Sequence, residues 1–167
     1  VVVSSTLPPK KVRHAAAVDT GSARTEYERW LTAAGRRTMT KVGEALTNME
    51  LRYSLIYTSP LVRAVQTAEI LAATQPGFDG PLEVLSALST EEGSAAQALA
   101  PLDRAGDDEL IVMVTHMPKV GVLAAHVGQL ATAPSFRTGS ACLLSQQGGK
   151  GCLEWMLDPD TCELTQA

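Results

Sequence analysis

A run of five aliphatic residues, Leu110 to Val114 (LIVMV), constrains the fold of this chain more than any other stretch. No polar residue alternates with these side chains. An uninterrupted run of this kind is typical of a strand that is covered on both faces. Thr115 and His116 end the run, and Pro118 then stands where a helix can begin. The run therefore predicts a central strand of a parallel sheet, followed directly by a helix.

Upstream, the same order of strand and helix is repeated. Residues 32–49 place apolar side chains three and four residues apart, which predicts a helix that Thr32 can cap. Residues 54–57 (SLIY) predict a short buried strand. Ser59 is then the expected cap of the next helix, and Pro60 is expected at its first position, where a missing N–H costs nothing.

Four further segments complete the pattern: a strand and turn at 81–88, a short helix at 94–106 that Pro101 interrupts, and two final strands at 140–146 and 152–157. Strands that alternate with helices favour the α/β class. We therefore expect a three-layer α/β/α sandwich with a mostly parallel central sheet. The last two strands should form an antiparallel hairpin.

Composition excludes several classes of function. The net charge of −4 is unfavourable for broad binding to nucleic acid or to an acidic membrane, and the longest aliphatic run is far too short to span a bilayer. Three cysteines stand ten residues apart without a paired zinc or redox motif. Reduced, partly buried thiols are the simplest interpretation, so we expect a reducing compartment, either the cytoplasm or an organellar interior.

The first residues of the chain do not have the composition of an ordinary first strand. Residues 7–11 are LPPKK, in which two prolines lack a backbone donor and two lysines do not suit a doubly covered strand. The sequence therefore predicts an N-terminal extension or an irregular first strand at 1–11, followed by a single domain at 12–167. A shortened strand and a partly unwound one both fit.

Positively charged and imidazole side chains follow three of the predicted strands. Arg13 and His14 stand in VRHA, Arg63 in SPLVRA and His116 in VTHMP. Ligands of such sheets bind beyond the carboxyl ends of the strands. Two guanidiniums, two imidazoles and two helix N-termini in one place would suit a single phosphate-sized anion.

The motifs together resemble the histidine phosphatase superfamily, also called phosphoglycerate-mutase-like. RHA at 13–15, SPLVRAVQTAEIL at 59–71 and VTHMPKVGVLAAHV at 114–127 occur in the family's order. HMPKVG, FRTGSA and LEWMLDP are most similar to the small bacterial phosphohistidine phosphatases of the SixA type. The resemblance implies the phosphoglycerate-mutase-like fold without the long cap of the mutases, which would leave the pocket open.

The resemblance also implies a role for each matched residue. His14 would be the nucleophile that forms a phosphohistidine intermediate, while Arg13, Arg63 and His116 would hold the phosphoryl oxygens. Arg29, which one residue separates from the Leu-Thr pair at 31–32, would contact phosphate or substrate. Glu91 and Glu92 lie where larger members carry a general acid, although SixA-type proteins lack a clear acid there. No metal and no cofactor are implied.

Three hypotheses about function remain open at this stage. The first is a phosphatase that acts on phosphohistidine, with a phosphorylated protein of the histidine-phosphotransfer type as its partner. The second is a phosphomonoesterase that acts on small phosphorylated metabolites. The third is an accessory or structural subunit of a larger assembly that has kept the phosphatase fold.

Overall fold

The computed structural model describes residues 10–13, 15–104, 106, 109–147 and 149–166, and for residues 10–13, 104 and 147 it describes the backbone alone. Within these ranges, seven strands form one sheet in the order β3-β2-β4-β1-β5-β6-β7. The strands are β1 (Lys10–Arg13), β2 (Leu55–Thr58), β3 (Leu82–Val84), β4 (Ile111–Thr115), β5 (Ala141–Gln147), β6 (Lys150–Leu157) and β7 (Leu164–Gln166).

Four α-helices cover the described sheet: α1 (Ala33–Asn48), α2 (Val62–Thr74), α3 (Ala95–Leu99) and α4 (Lys119–Val127). Helix α1 packs against α2, and α3 packs against α4. The chain moves towards one edge from β1 to β3 and then returns through β4. Right-handed connections therefore place the two helix pairs on opposite faces. The predicted three-layer α/β/α fold is confirmed.

The sheet has a parallel half and an antiparallel half. Strands β3, β2, β4 and β1 are parallel neighbours, whereas β5 pairs with β1 in the antiparallel sense and begins the antiparallel series β5-β6-β7. The predicted hairpin at the end of the chain is therefore present. The described part of β1 has four residues, and the division of the chain at residue 12 stays a prediction.

Strand β4 is the most deeply buried element, since all five of its residues are buried. Helix α1 begins after Thr32, whose hydroxyl accepts a hydrogen bond from the amide of Gly35, as the sequence predicts. Apolar side chains from both faces of the sheet meet this strand in one core. No helix within the described ranges is both long and apolar enough to cross a bilayer.

The start of helix α2 differs from the prediction. The helix begins at Val62, after Leu61, so Ser59 is not its cap and Pro60 is not its first residue. The reason is that the backbone continues the sheet for one further step, because the amide of Ser59 donates to the carbonyl of Val114 over 2.9 Å. Ser59 therefore stays at the end of the sheet, where its hydroxyl contacts His116 and does not cap the helix.

Candidate active site

The neighbouring strands β1 and β4 end side by side at the point where the sheet changes direction. Arg13 lies opposite Thr115 in the parallel register, and His116 follows Thr115 immediately. The connection after β1 leads to one face of the sheet and the connection after β4 leads to the other. A crevice beyond the carboxyl ends of such strands is the usual ligand site of an open α/β sheet.

An open cavity of about 430 Å³ lies at this place. Its walls come from the segment after β1, the loop before α1, the start of α2, the loop before α3, the segment after β4 and the segment before β5. The lining residues are Ala16, Ala17, Glu26, Arg29, Arg63, Thr90, His116, Met117 and Thr138. Three of the predicted site residues, Arg29, Arg63 and His116, therefore share one cavity.

His116 is held at the floor of this cavity. The residue is 2% exposed, and its Nε2 atom lies 2.8 Å from the hydroxyl oxygen of Ser59. Ser59 is itself fully buried between the end of β2 and the start of α2. The hydrogen bond fixes the imidazole plane relative to both strand ends, so the ring has one defined orientation towards the cavity.

Arg63 stands in the first turn of α2 with only 5% of its side chain exposed. Its Nη1 atom donates to the backbone carbonyl of Glu26, and its Nη2 atom lies 2.8 Å from the Glu26 carboxylate. Burial lowers the pKa of the Arg63 guanidinium, while the charge of Glu26 acts in the opposite direction. A buried cation at a helix N-terminus is costly unless anions face it, and Glu26 supplies one.

Arg29 contacts the same carboxylate. Its Nε atom donates to the carbonyl of Val18 over 2.7 Å, and its Nη1 atom lies 2.9 Å from both oxygens of Glu26. Partial burial alone would raise the pKa of Glu26, but the hydrogen bonds and charges of Arg29 and Arg63 outweigh it and hold that pKa below its usual range. Glu26 is therefore an ionised bridge between two guanidiniums at the cavity wall.

Glu91 and Glu92 lie in the exposed stretch 90–93 of the loop before α3, and neither is among the residues that line the cavity, although their neighbour Thr90 is. The amino group of Lys119 anchors this loop by donating to the carbonyls of Ala87, Glu92 and Gly93. The role of the two glutamates as general acids stays a prediction.

Two of the predicted residues are not described as side chains. For Arg13 the structure gives the backbone, and His14 lies outside the described residues. Two contacts in the cavity are not predicted by the sequence. The sequence marks Ser59 only as a helix cap, and no motif marks Glu26. Among the described residues, no group of three His, Cys, Asp or Glu side chains is placed to hold a metal ion.

Comparison with known proteins agrees with this architecture. The model of the histidine phosphatase superfamily (branch 1) matches residues 12–89. An uncharacterized protein of Picosynechococcus is 32% identical over 155 residues, which are 92% of this chain and 92% of that protein. This relative therefore resembles the present chain over nearly the full length of both proteins.

Among solved structures, the protein histidine phosphatase SixA complexed with tungstate superposes with a TM-score of 0.82 at 23% identity, covering 94% of this chain and 100% of that chain. A putative phosphohistidine phosphatase SixA from Agrobacterium tumefaciens gives a TM-score of 0.76 at 18% identity, with 92% and 98% covered. These likenesses establish the fold. The chain belongs to the histidine phosphatase superfamily (branch 1) and is a histidine-nucleophile phosphatase.

Proposed function

We propose that this phosphatase hydrolyses phosphohistidine presented on another protein and that His14 is its nucleophile. The observation that carries the proposal is the meeting of Arg63 and His116 in one cavity at the end of β4. Strand β1, which directly precedes His14, ends opposite the residue that precedes His116. A nucleophile supplied from the end of β1 would therefore face a group that Arg63 and His116 hold.

In the first step, a neutral ring nitrogen of His14 attacks phosphorus, and the bond from phosphorus to the substrate's imidazole nitrogen breaks. The departing imidazole keeps the electron pair and takes a proton from water. In the second step, water attacks the phosphohistidine, which releases inorganic phosphate, returns the nitrogen lone pair to His14 and gives the remaining proton to solvent. Arg63, His116 and Arg13 would stabilise the charge on the transferred group in both steps.

Two features support phosphohistidine as the substrate. The described residues between α2 and β4 form short elements only, and no inserted domain among them covers the cavity, so a residue that projects from a protein surface could enter it. An imidazole leaving group also depends less on a strong general acid than an alkoxide does. This fits a site in which neither Glu91 nor Glu92 lines the cavity. The structurally similar SixA is itself a protein histidine phosphatase.

Trapping of the phosphoenzyme tests the nucleophile. The wild-type protein should retain an acid-labile, base-stable phosphoryl label after brief exposure to a labelled phosphohistidine protein, and His14→Ala should retain none. His126→Ala is the matched control, because His126 is an exposed residue in the last turn of α4 and does not line the cavity. Label retained by His14→Ala would overturn the assignment.

A comparison of substrates tests the specificity. The kcat/KM of the wild-type enzyme should be higher for a phosphohistidine-bearing phosphotransfer protein than for every member of a panel of sugar phosphates. Equal or faster turnover of the metabolites would favour the phosphomonoesterase instead. Absence of turnover with both groups of substrates, by a folded protein with His14 intact, would favour an accessory role.

A further inference from the structure

Glu26 lies between the inside of the cavity and solvent. Its side chain is 41% exposed, whereas that of Arg63, which it contacts, is 5% exposed. The buried guanidinium and His116 define the floor, where a phosphoryl group would sit. The organic part of a phosphorylated substrate has to extend towards solvent, and the partly exposed carboxylate of Glu26 is one of the groups that line its way.

The carboxylate of Glu26 is partly exposed to solvent at the cavity wall. One carboxylate faces two guanidiniums on its inner side, and a phosphoryl group bound at the floor would itself neutralise those cations. Partial desolvation and the negative charges of Glu92 and Glu91 raise the pKa of the Tyr27 phenol, which follows Glu26 in the chain. Glu91 and Glu92 thus add negative charge near Tyr27, whereas Arg63 and His116 line the cavity itself.

From this arrangement we infer that Glu26 is a specificity-determining residue, which selects phosphoryl donors whose remaining part is neutral or cationic and disfavours donors that carry a second anion. The inference rests on the proposed function and deepens it, because an imidazole group on a protein meets the requirement. Carboxylate-bearing phosphate esters do not meet it, since their second anion would approach Glu26.

Like charges that are juxtaposed at an entrance act mainly by rejecting the wrong ligand. A carboxylate tail on the ligand would lie within a few ångströms of Glu26 in a partly desolvated place, and an ammonium tail would be attracted there by the same charge. At the effective dielectric of such surfaces, one charge pair changes an equilibrium constant by roughly tenfold. Glu26 can therefore discriminate between tails without touching the phosphoryl group.

Three phosphonates with three-carbon chains provide probes that the enzyme cannot hydrolyse: propylphosphonate, 3-aminopropylphosphonate and 3-phosphonopropionate. Their dissociation constants, measured by calorimetry, should rank the amine tightest and the carboxylate weakest on the wild-type protein. In Glu26→Gln, the ratio of the carboxylate constant to the amine constant should fall by about a hundredfold, because one repulsion and one attraction of about tenfold each are lost together. Because the ratio compares probes on one variant, a general disturbance of the arginines cancels from it.

Two further variants make the result decisive. Glu26→Asp keeps the charge and should keep the ratio within about twofold of the wild-type value. Glu28→Gln removes a neighbouring carboxylate that does not line the cavity and should also leave the ratio unchanged. A ratio that is unaltered in Glu26→Gln, or that falls equally in Glu28→Gln, would overturn the inference.

The two proposals fail in different ways. A wild-type protein that ranks the phosphonates as expected but hydrolyses no phosphoryl donor would contradict the proposed function and support the role of Glu26. A wild-type protein that hydrolyses phosphohistidine, with equal ratios in the wild type and in Glu26→Gln, would contradict the inference alone.

Discussion

The Nε2 atom of His116 lies 2.8 Å from the Oγ atom of Ser59, and this hydrogen bond joins the ends of strands β4 and β2 beneath the cavity. Both residues are buried. The amide of Ser59 also donates to the carbonyl of Val114, so the hydroxyl is fixed by the sheet itself. Ser59 is therefore a positioning residue for the imidazole, and it acts through a rigid part of the fold.

Replacing Ser59 by alanine should lower kcat/KM by about tenfold, because small errors in the position of a group that holds the transferred phosphoryl are costly in rate. The free energy of unfolding should fall by only about 1 kcal/mol, the usual net value of one hydrogen bond. Steady-state kinetics and urea unfolding measure the two effects. Ser54→Ala, at the exposed residue just before the same strand, is the control. Equal kinetics for both variants would contradict the positioning role.

Gly35 allows the first turn of α1 to approach the segment that follows His14. A Cβ atom at residue 35 would lie 2.2 Å from the carbonyl oxygen of Ala16, which belongs to the cavity wall. Gly35→Ala should therefore destabilise the protein by about 1–3 kcal/mol and reduce activity as the wall shifts. Gly21→Ala is the matched control, since nothing lies within 4 Å of its added Cβ. Urea unfolding and kcat/KM are the measurements, and wild-type values for Gly35→Ala would exclude the proposed contact.

Much of the fold follows from local patterns in the sequence. Exposing the five aliphatic side chains of the run 110–114 to water would be costly, and the run accordingly forms the residue before β4 and most of that buried strand. Thr32 caps α1 because its hydroxyl reaches the amide three residues later, a short-range contact that sequence reasoning can anticipate. Strand β7 has no such local signal, because its three residues are exposed and owe their conformation to pairing with β6.

The candidate site also contains residues that local motifs predict and residues that they do not. Arg63 and His116 are predictable because each follows a strand in a motif, and parallel strands bring their ends together. The bridge made by Glu26 is not, since it depends on how the loop after β1 folds back onto α2, 37 residues away along the chain. The prediction for Ser59 is wrong because a serine before a helix usually caps it, whereas here the sheet continues through that residue.

Lys119 anchors the loop that forms one side of the cavity entrance. Its amino group donates to the carbonyls of Ala87 over 2.8 Å and Gly93 over 3.1 Å, and also to that of Glu92. Lys119→Met should loosen residues 89–93 without unfolding the sheet, so hydrogen exchange of the Glu92 amide should accelerate at least about tenfold. Lys41→Met, on the exposed side of α1, should leave this exchange unchanged. Wild-type protection in Lys119→Met would show that the loop is held by other contacts.

The phenol of Tyr53 should make the protein sensitive to alkali. Tyr53 is buried and its hydroxyl donates to the carbonyl of Leu71; burial raises its pKa to about 12, from an ordinary value near 10. The folded state favours the neutral phenol, so ionisation of Tyr53 lowers the free energy of unfolding. The free energy of unfolding is unaffected by this ionisation below pH 10 and falls between pH 10 and 12, by about 1.4 kcal/mol per pH unit. Tyr53→Phe should be about 1 kcal/mol less stable at pH 8, through loss of the hydrogen bond, but should lack this decline. Urea unfolding of both proteins from pH 8 to 12 measures the difference, and parallel curves throughout would refute the assignment.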